Sequence, residues 1–211
     1  SYGCRKLKGT HKASARLQNF MRKHSNDKYY LQLDIRKYYY NINHNILRNF
    51  ISKIIKDERI VNLIMLFVDT VKGIGLFVGN VLSQLFGLIY LSPLDHFVKR
   101  VLKIKHYIRY VDDFVLVGLE KSEAHILKSK IESFLKDNLN LELSKFRIAK
   151  IKQGCNFVGF RTWKRVKFIR KHTLHNFSKA VKLQKEASII SILGHAKHSS
   201  SHKYLISKLG A

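Results

Sequence analysis

Two adjacent carboxylates, Asp112 and Asp113, stand between two apolar runs, Tyr107-Ile108-Arg109-Tyr110 and Phe114-Val115-Leu116-Val117. A third, Asp34, closes another apolar run, Tyr30-Leu31-Gln32-Leu33. An acidic turn by itself is commonplace. Acids at the ends of two buried strands are a different matter. Brought together in one sheet, they cost several kcal/mol unless opposite charge compensates them. Divalent cations remove that cost. Carboxylate oxygens suit Mg²⁺, which keeps part of its water shell and binds through a few carboxylates plus phosphates, with Mn²⁺ as the substitute ion. Two such ions, roughly 3.5–4 Å apart, would stabilise the attacking and the leaving oxygen of a phosphoryl transfer.

The elements that must position these acids can be read from periodicity. Tyr29 to Ile35 alternates and is aromatic, which predicts a strand with Asp34 near its end. His106 to Tyr110 and Phe114 to Gly118 predict a hairpin whose turn is Val111-Asp112-Asp113. Helices are predicted from about Lys12 to Lys23, from His44 to Ile55 behind an Asn43 cap, from Glu58 to Thr70, from Leu82 to Val101 and from Ser122 to Asp137. Gly73, Gly75 and Gly79 mark a flexible connection. Leu141 to Ile151 predicts a strand, and Asn156 to Arg161 with Val166 to Arg170 a second hairpin. The remainder is basic and predicts helices over Asn176 to Leu193 and Lys203 to Leu209. Strand, helices, hairpin, helix, strand is an α+β order. It implies a ferredoxin-like antiparallel sheet with helices packed on one face.

Charge indicates the partner. Against 14 Asp and Glu the chain carries 40 Lys and Arg, a net charge of +26. So lopsided a balance points to a polyanion. No basic amphipathic helix with a Trp/Phe/Leu face stands out, which favours nucleic acid over a membrane surface. The longest apolar patch, Val81 to Leu94, is broken by Ser83 and Gln84 and closed by Pro93, so no membrane span is expected. With no secretory signal visible, a cytoplasmic location is expected. Cys4 and Cys155 form no metal-binding spacing and are read as reduced thiols; the eleven histidines are scattered.

Here a family resemblance enters. Leu31-Gln-Leu-Asp-Ile-Arg-Lys-Tyr-Tyr-Tyr-Asn-Ile-Asn-His44 resembles the first catalytic motif of reverse transcriptases, and Tyr110-Val-Asp-Asp113 their second. Between them, Gly75-Leu-Phe-Val-Gly-Asn-Val-Leu-Ser-Gln84 is similar to their template and nucleotide motif, and Asn156-Phe-Val-Gly-Phe160 to their primer grip. The resemblance covers about residues 1 to 170. It implies a right-hand polymerase: partial fingers over residues 1–28, a palm over 29–162 and a basic thumb-like region over 163–211. It implies Asp34, Asp112 and Asp113 as catalytic acids and ligands of two metal ions, with the backbone carbonyl of Ile35 as a further ligand. Tyr39 would be the gate against a 2′-hydroxyl, with a packed core tyrosine as the plainer alternative. Val78 and Gly79 would lie beneath the incoming nucleotide. Lys145 would protonate the pyrophosphate leaving group, with Arg147 or Lys150 as alternatives. Ser83, Gln84, Tyr110, Phe157, Gly159, Arg161, Lys164 and Arg165 would contact template and primer, while Trp163 is expected to pack.

The subfamily signal is Val78 before Gly79, Gln84 after Ser83, the opening Ser1-Tyr-Gly-Cys-Arg-Lys-Leu-Lys-Gly-Thr-His11 and Tyr90-Leu-Ser-Pro-Leu-Asp95. It is similar to the reverse transcriptases of diversity-generating retroelements. That resemblance implies an error-prone copying of RNA into cDNA from deoxynucleoside triphosphates, aided by a small basic accessory protein. A group II intron-like, retron-like or antiviral-defence enzyme is the alternative within the class. The family's earlier fingers segments, which grip the triphosphate, have no counterpart in the sequence. It is therefore expected to be a fragment or processed product, and an RNA-binding fragment without activity of its own is the alternative outside the class.

Overall fold

The computed structural model describes residues 1–209. Four strands form the central sheet: β1 (Tyr29–Ile35), β2 (Tyr107–Tyr110), β3 (Asp113–Leu119) and β4 (Leu143–Lys150). Their order is β2-β3-β1-β4 with every neighbour antiparallel, the ferredoxin-like arrangement the sequence order implies. Strand periodicity divides β1 into two faces. Leu31, Leu33 and Ile35 point to one side and are buried there against the helices. Each such burial stabilises the fold by about 1.5–3 kcal/mol. Tyr30, Gln32 and Asp34 point to the other side, so this second face carries the strand's one acid.

The first face is covered by α2 (His44–Ile54), α3 (Glu58–Val68), α4 (Val81–Tyr90), α5 (Ser92–His96) and α6 (Lys121–Leu139). Asn43 caps α2 as expected, its side chain accepting from the Ile46 amide. Glu120 and Glu123 form a reciprocal cap on α6, and Ala124, Leu127, Ile131, Leu135 and Leu139 give that helix its buried stripe.

The structure corrects several expectations. Helices cover both faces of the sheet, because α1 (Thr10–Arg22) lies on the second face. There Ala13, Leu17, Phe20 and Met21 pack on Tyr30, Ile108, Val115 and Val117. The predicted Leu82–Val101 helix is α4 and α5 followed by a π-helical turn, Phe97–Val101. Contrary to the expectation from its interrupted apolar pattern, the helical run Val81–Val101 is long and apolar enough to cross a membrane by length and composition. Here it packs on the sheet through Ser83, Phe86, Gly87, Tyr90, Leu94 and Val98, spaced for one helix face. The second hairpin is a three-stranded sheet, β5 (Cys155–Phe157), β6 (Phe160–Thr162) and β7 (Lys167–Ile169). The long C-terminal helix is broken in two, α7 (Lys171–Lys182) and α8 (Glu186–Ala196), where Gln184 adopts φ 50°. With α9 (Ser201–Ser207) they enclose a small core of Phe160, Ile169, Phe177, Ala196 and Leu205.

Candidate active site

Antiparallel register places Asp34 directly across from Asp113, on the two central strands. Asp112 sits in the two-residue turn between β2 and β3. Two carboxylates at adjoining strand ends and a third beside them concentrate negative charge in an otherwise basic molecule. The effect on their protonation is direct. Burial raises the carboxyl of Asp112 above its ordinary range, and the charge of Asp34 adds to this. Burial likewise pushes Asp113 up to about 6, with Asp34 and Asp112 contributing, although a hydrogen bond from Gln32 opposes the rise.

Neighbouring side chains orient these acids. Gln32, on the same face of β1, donates from Nε2 to Asp113 Oδ1 at 3.0 Å and to the Asn156 carbonyl at 2.7 Å. One amide thus ties the catalytic strand to β5. Ser144 Oγ donates to a carboxylate oxygen of Asp34 from the edge strand β4. The turn itself is strained, since Val111 is β-branched and adopts φ 56°. It is held from below by Arg109, which donates to the Val111 carbonyl at 2.8 Å. Arg109 is only 2% exposed, and its charge is balanced by Asp95, to which it donates from Nε at 2.8 Å and from Nη2. Gly3 closes the other side of the turn: a Cβ there would come within 2.5 Å of Val111 Cγ2.

Beside the acids opens a cavity of about 590 Å³. It brings together Tyr39, Val78, Gly79, Ser83, Gln84, Tyr110 and Gly159 with Asp112 and Asp113, nine of the residues the sequence singled out. Tyr39 is half-buried, and Gly87 of α4 lies against its ring, where a Cβ would approach to 2.9 Å. The Gly75–Gly79 segment is held next to it, with the Leu76 amide donating to the Tyr39 carbonyl at 2.7 Å. Gly75 adopts φ 100°, and a Cβ there would come within 2.9 Å of the Tyr40 carbonyl oxygen. Val78 then presents a half-exposed apolar side chain to the cavity.

Other predicted residues lie elsewhere. Asp34 is at the margin of this cavity rather than in its walls. Ile35 is buried, leaving its backbone carbonyl as the only group it can offer. Lys145 is exposed on β4 opposite Asp34, on the edge strand and outside the cavity. Phe157 is fully buried among Tyr30, Ile151 and Cys155, so its side chain packs and does not face a duplex. Ser83 lines the cavity but is 6% exposed. Arg161 donates to the Gln153 carbonyl and covers the Trp163 ring, 5.0 Å from its centroid. Lys164 and Arg165 line a separate cavity near the opposite end of the sheet. Trp163 packs on Gly154, as expected.

Sequence reasoning missed Gln32, Ser144, Gly87 and Arg109, and it expected Arg170 only among the basic residues tracking the template–primer backbone. Arg170 precedes α7 and lines the cavity, where its charge offsets part of the rise in Asp113. Arg109 and Asp95 carry a readable signal, opposite charges within apolar runs, but nothing in the sequence pairs them.

Among the described residues no three His, Cys, Asp or Glu side chains converge tightly enough to form a cage for a metal ion. The donor set still fits Mg²⁺. That ion takes one or two carboxylates and completes its shell with water and phosphate oxygens, and buried acids with raised protonation are short of positive charge.

A ferredoxin-order sheet with acids at the adjoining ends of its central strands, beside a helix-walled cavity, defines the palm of a right-hand polymerase. The profile of the family described as reverse transcriptase (RNA-dependent DNA polymerase) matches residues 1–162, and the chain belongs to that family. Solved structures similar in fold include three telomerases. Apo telomerase from Candida tropicalis truncated from its C-terminal domain superposes with a TM-score of 0.62 at 18% identity, over 78% of this chain and 40% of that one. Telomerase from Candida albicans in complex with a TWJ fragment of telomeric RNA gives 0.59 at 12% identity, over 94% of this chain and 43% of that one. Apo telomerase from Candida tropicalis gives 0.60 at 16% identity, over 77% and 36%. The chain therefore matches about two-fifths of the length of these structures, and at such identities the likeness concerns the fold. No curated protein sequence matches the chain.

Proposed function

We propose that this chain is the catalytic palm of an RNA-directed DNA polymerase that extends a primer on an RNA template from deoxynucleoside triphosphates. The observation that carries this is the Asp34–Asp113 register pair with Asp112 in the adjoining turn, opening onto a cavity walled by Tyr39, Val78 and Gly79. Two Mg²⁺ ions, when bound by Asp34 and Asp112 with Asp113 beside them, would activate the primer hydroxyl and stabilise the departing pyrophosphate. Tyr39, backed by Gly87, would face the sugar and leave no room for a 2′-hydroxyl. Gly79, at φ 103°, lets the backbone approach the nucleotide closely. Lys145, across from Asp34, is the nearest free ammonium on β4 for the leaving group. Gln84 and the Val158–Gly159 turn would hold template and primer.

The finer reading is an error-prone enzyme of a diversity-generating retroelement, working with a small basic accessory protein. It is supported by Val78, which offers no hydrogen bond to the incoming pair and so removes one contact that could differ between right and wrong bases. Primer extension on poly-rA/oligo-dT with Mg²⁺ tests the main proposal. Extension by the chain that is lost in Asp112→Asn supports it. Extension surviving that substitution, or no extension by the unsubstituted chain, refutes it.

A further inference from the structure

We infer that the chain carries a second nucleic-acid site, a basic aromatic cavity that binds a single-stranded segment away from the catalytic acids. The cavity has a volume of about 840 Å³, larger than the catalytic one and within the usual range for ligand clefts, about 300–1,000 Å³. Four cations line it, Arg22, Lys152, Lys164 and Arg165, together with the rings of Trp163 and Phe168, and no carboxylate does. It lies where the end of α1 meets the segment after β4 and the β6–β7 turn.

Its position follows from the ladder. The Lys152 amide donates to the Asn26 carbonyl, just before β1 begins at Tyr29, whereas Asp34 is at the other end of that strand. Asp34 is five residue steps along the strand from Tyr29, about 17 Å. The two cavities also sit at opposite ends of β6. Val158 and Gly159 before it line the catalytic one, and Trp163 after it lines the basic one.

The walls are built rather than incidental. Gln18 donates to the Trp163 carbonyl at 3.0 Å, Arg22 Nε to the Lys164 carbonyl at 2.8 Å and Lys164 Nζ to the His24 carbonyl at 2.7 Å. The Trp163 amide closes its turn on the Val166 carbonyl at 2.8 Å. Trp163 packs on Gly154 and meets Phe168 edge-on at 5.9 Å, while the Phe168 ring is 40% exposed. Lys152 and Arg165 are exposed, and no side-chain hydrogen bond or ion pair engages them among the described residues. Cations without acids call for phosphates. Aromatic rings beside them call for unstacked bases, which a single strand offers and a duplex conceals. An acidic peptide would meet the charges but leave the rings unused.

The chain has one tryptophan, Trp163, so its emission reports this cavity directly. Titration of the full chain with oligo-rU and oligo-dT twelve-mers should quench that emission. Lys152→Glu/Arg165→Glu should weaken the effect at least tenfold, and the milder Lys152→Gln/Arg165→Gln by less, with about 1.4 removed from the salt slope for two lost phosphate contacts. Tighter binding of rU marks the template RNA as the source, and tighter binding of dT the cDNA. A duplex twelve-mer should quench weakly. No quenching, equal affinity in the charge-reversed variant, or equal quenching by a poly-glutamate peptide would overturn the inference. The assay needs no catalysis, so failed primer extension and failed quenching remain separate results.

Discussion

Replacing Asp113 by Asn should stabilise the metal-free protein at neutral pH while impairing polymerisation. Asp113 is half-buried beside two other acids, and its carboxyl is raised from an ordinary 3.8 to about 6. A group raised in the folded state binds protons more tightly there than in the unfolded chain. Its contribution is favourable below about 4 and is lost as pH rises through about 6. At pH 7.5 the cost of holding it ionised is the full difference, about 2 pH units or about 3 kcal/mol. Asn keeps an oxygen where Gln32 Nε2 donates, 3.0 Å away, and carries no charge. For a chain of this length about 3 kcal/mol corresponds to roughly 6–12 °C in the melting midpoint. The measurement is thermal unfolding in EDTA at pH 7.5 and at pH 5. The advantage of Asp113→Asn should fall to about half at pH 5, where much of wild-type Asp113 is already protonated. Mg²⁺ should raise the wild-type midpoint more than that of the variant. A variant that melts at or below wild type at pH 7.5, or gains equally at both pH values, refutes the electrostatic account of this site.

Asp95→Asn should destabilise the fold by about 3–5 kcal/mol in chemical denaturation, because it strands the buried Arg109 charge. Burial alone would raise Asp95, but the hydrogen bond and charge of Arg109 outweigh it and hold its carboxyl below the ordinary range. This pair's contribution is therefore present above about pH 4 and is lost as pH falls further. Gly87→Val should push on Tyr39, whose ring a Cβ already meets at 2.9 Å. The expected outcome is a lower kcat/KM for deoxynucleotides, about tenfold, with discrimination against ribonucleotides kept in competition assays. Val78→Gln should lower misincorporation opposite adenine in sequenced cDNA, and an unchanged error spectrum would remove Val78 as the cause.

The acids and their strands were legible in the sequence for a local reason. Alternation in Tyr29–Ile35 and the two apolar flanks of Val111-Asp112-Asp113 specify strands and a turn with no knowledge of the rest. Motif order then named Tyr39, Val78 and Gly79, which the fold brings into one cavity with Asp112 and Asp113. What the sequence could not decide depends on which surfaces meet. Nothing local says that α1 crosses to the second face, since its stripe of Ala13, Leu17, Phe20 and Met21 would suit either side. Nor does composition separate one lysine or arginine from another among 40. Only packing sends Arg109 into the core to hold the catalytic turn. Only packing draws Lys164 and Arg165, expected on the primer track, to the far end of β6 beside Arg22 and Lys152. The sequence thus determined which acids stand at strand ends and what order of elements carries them. The tertiary structure alone decided which cations lie near those acids, because burial and long-range hydrogen bonds, not residue type, set where each charge comes to rest.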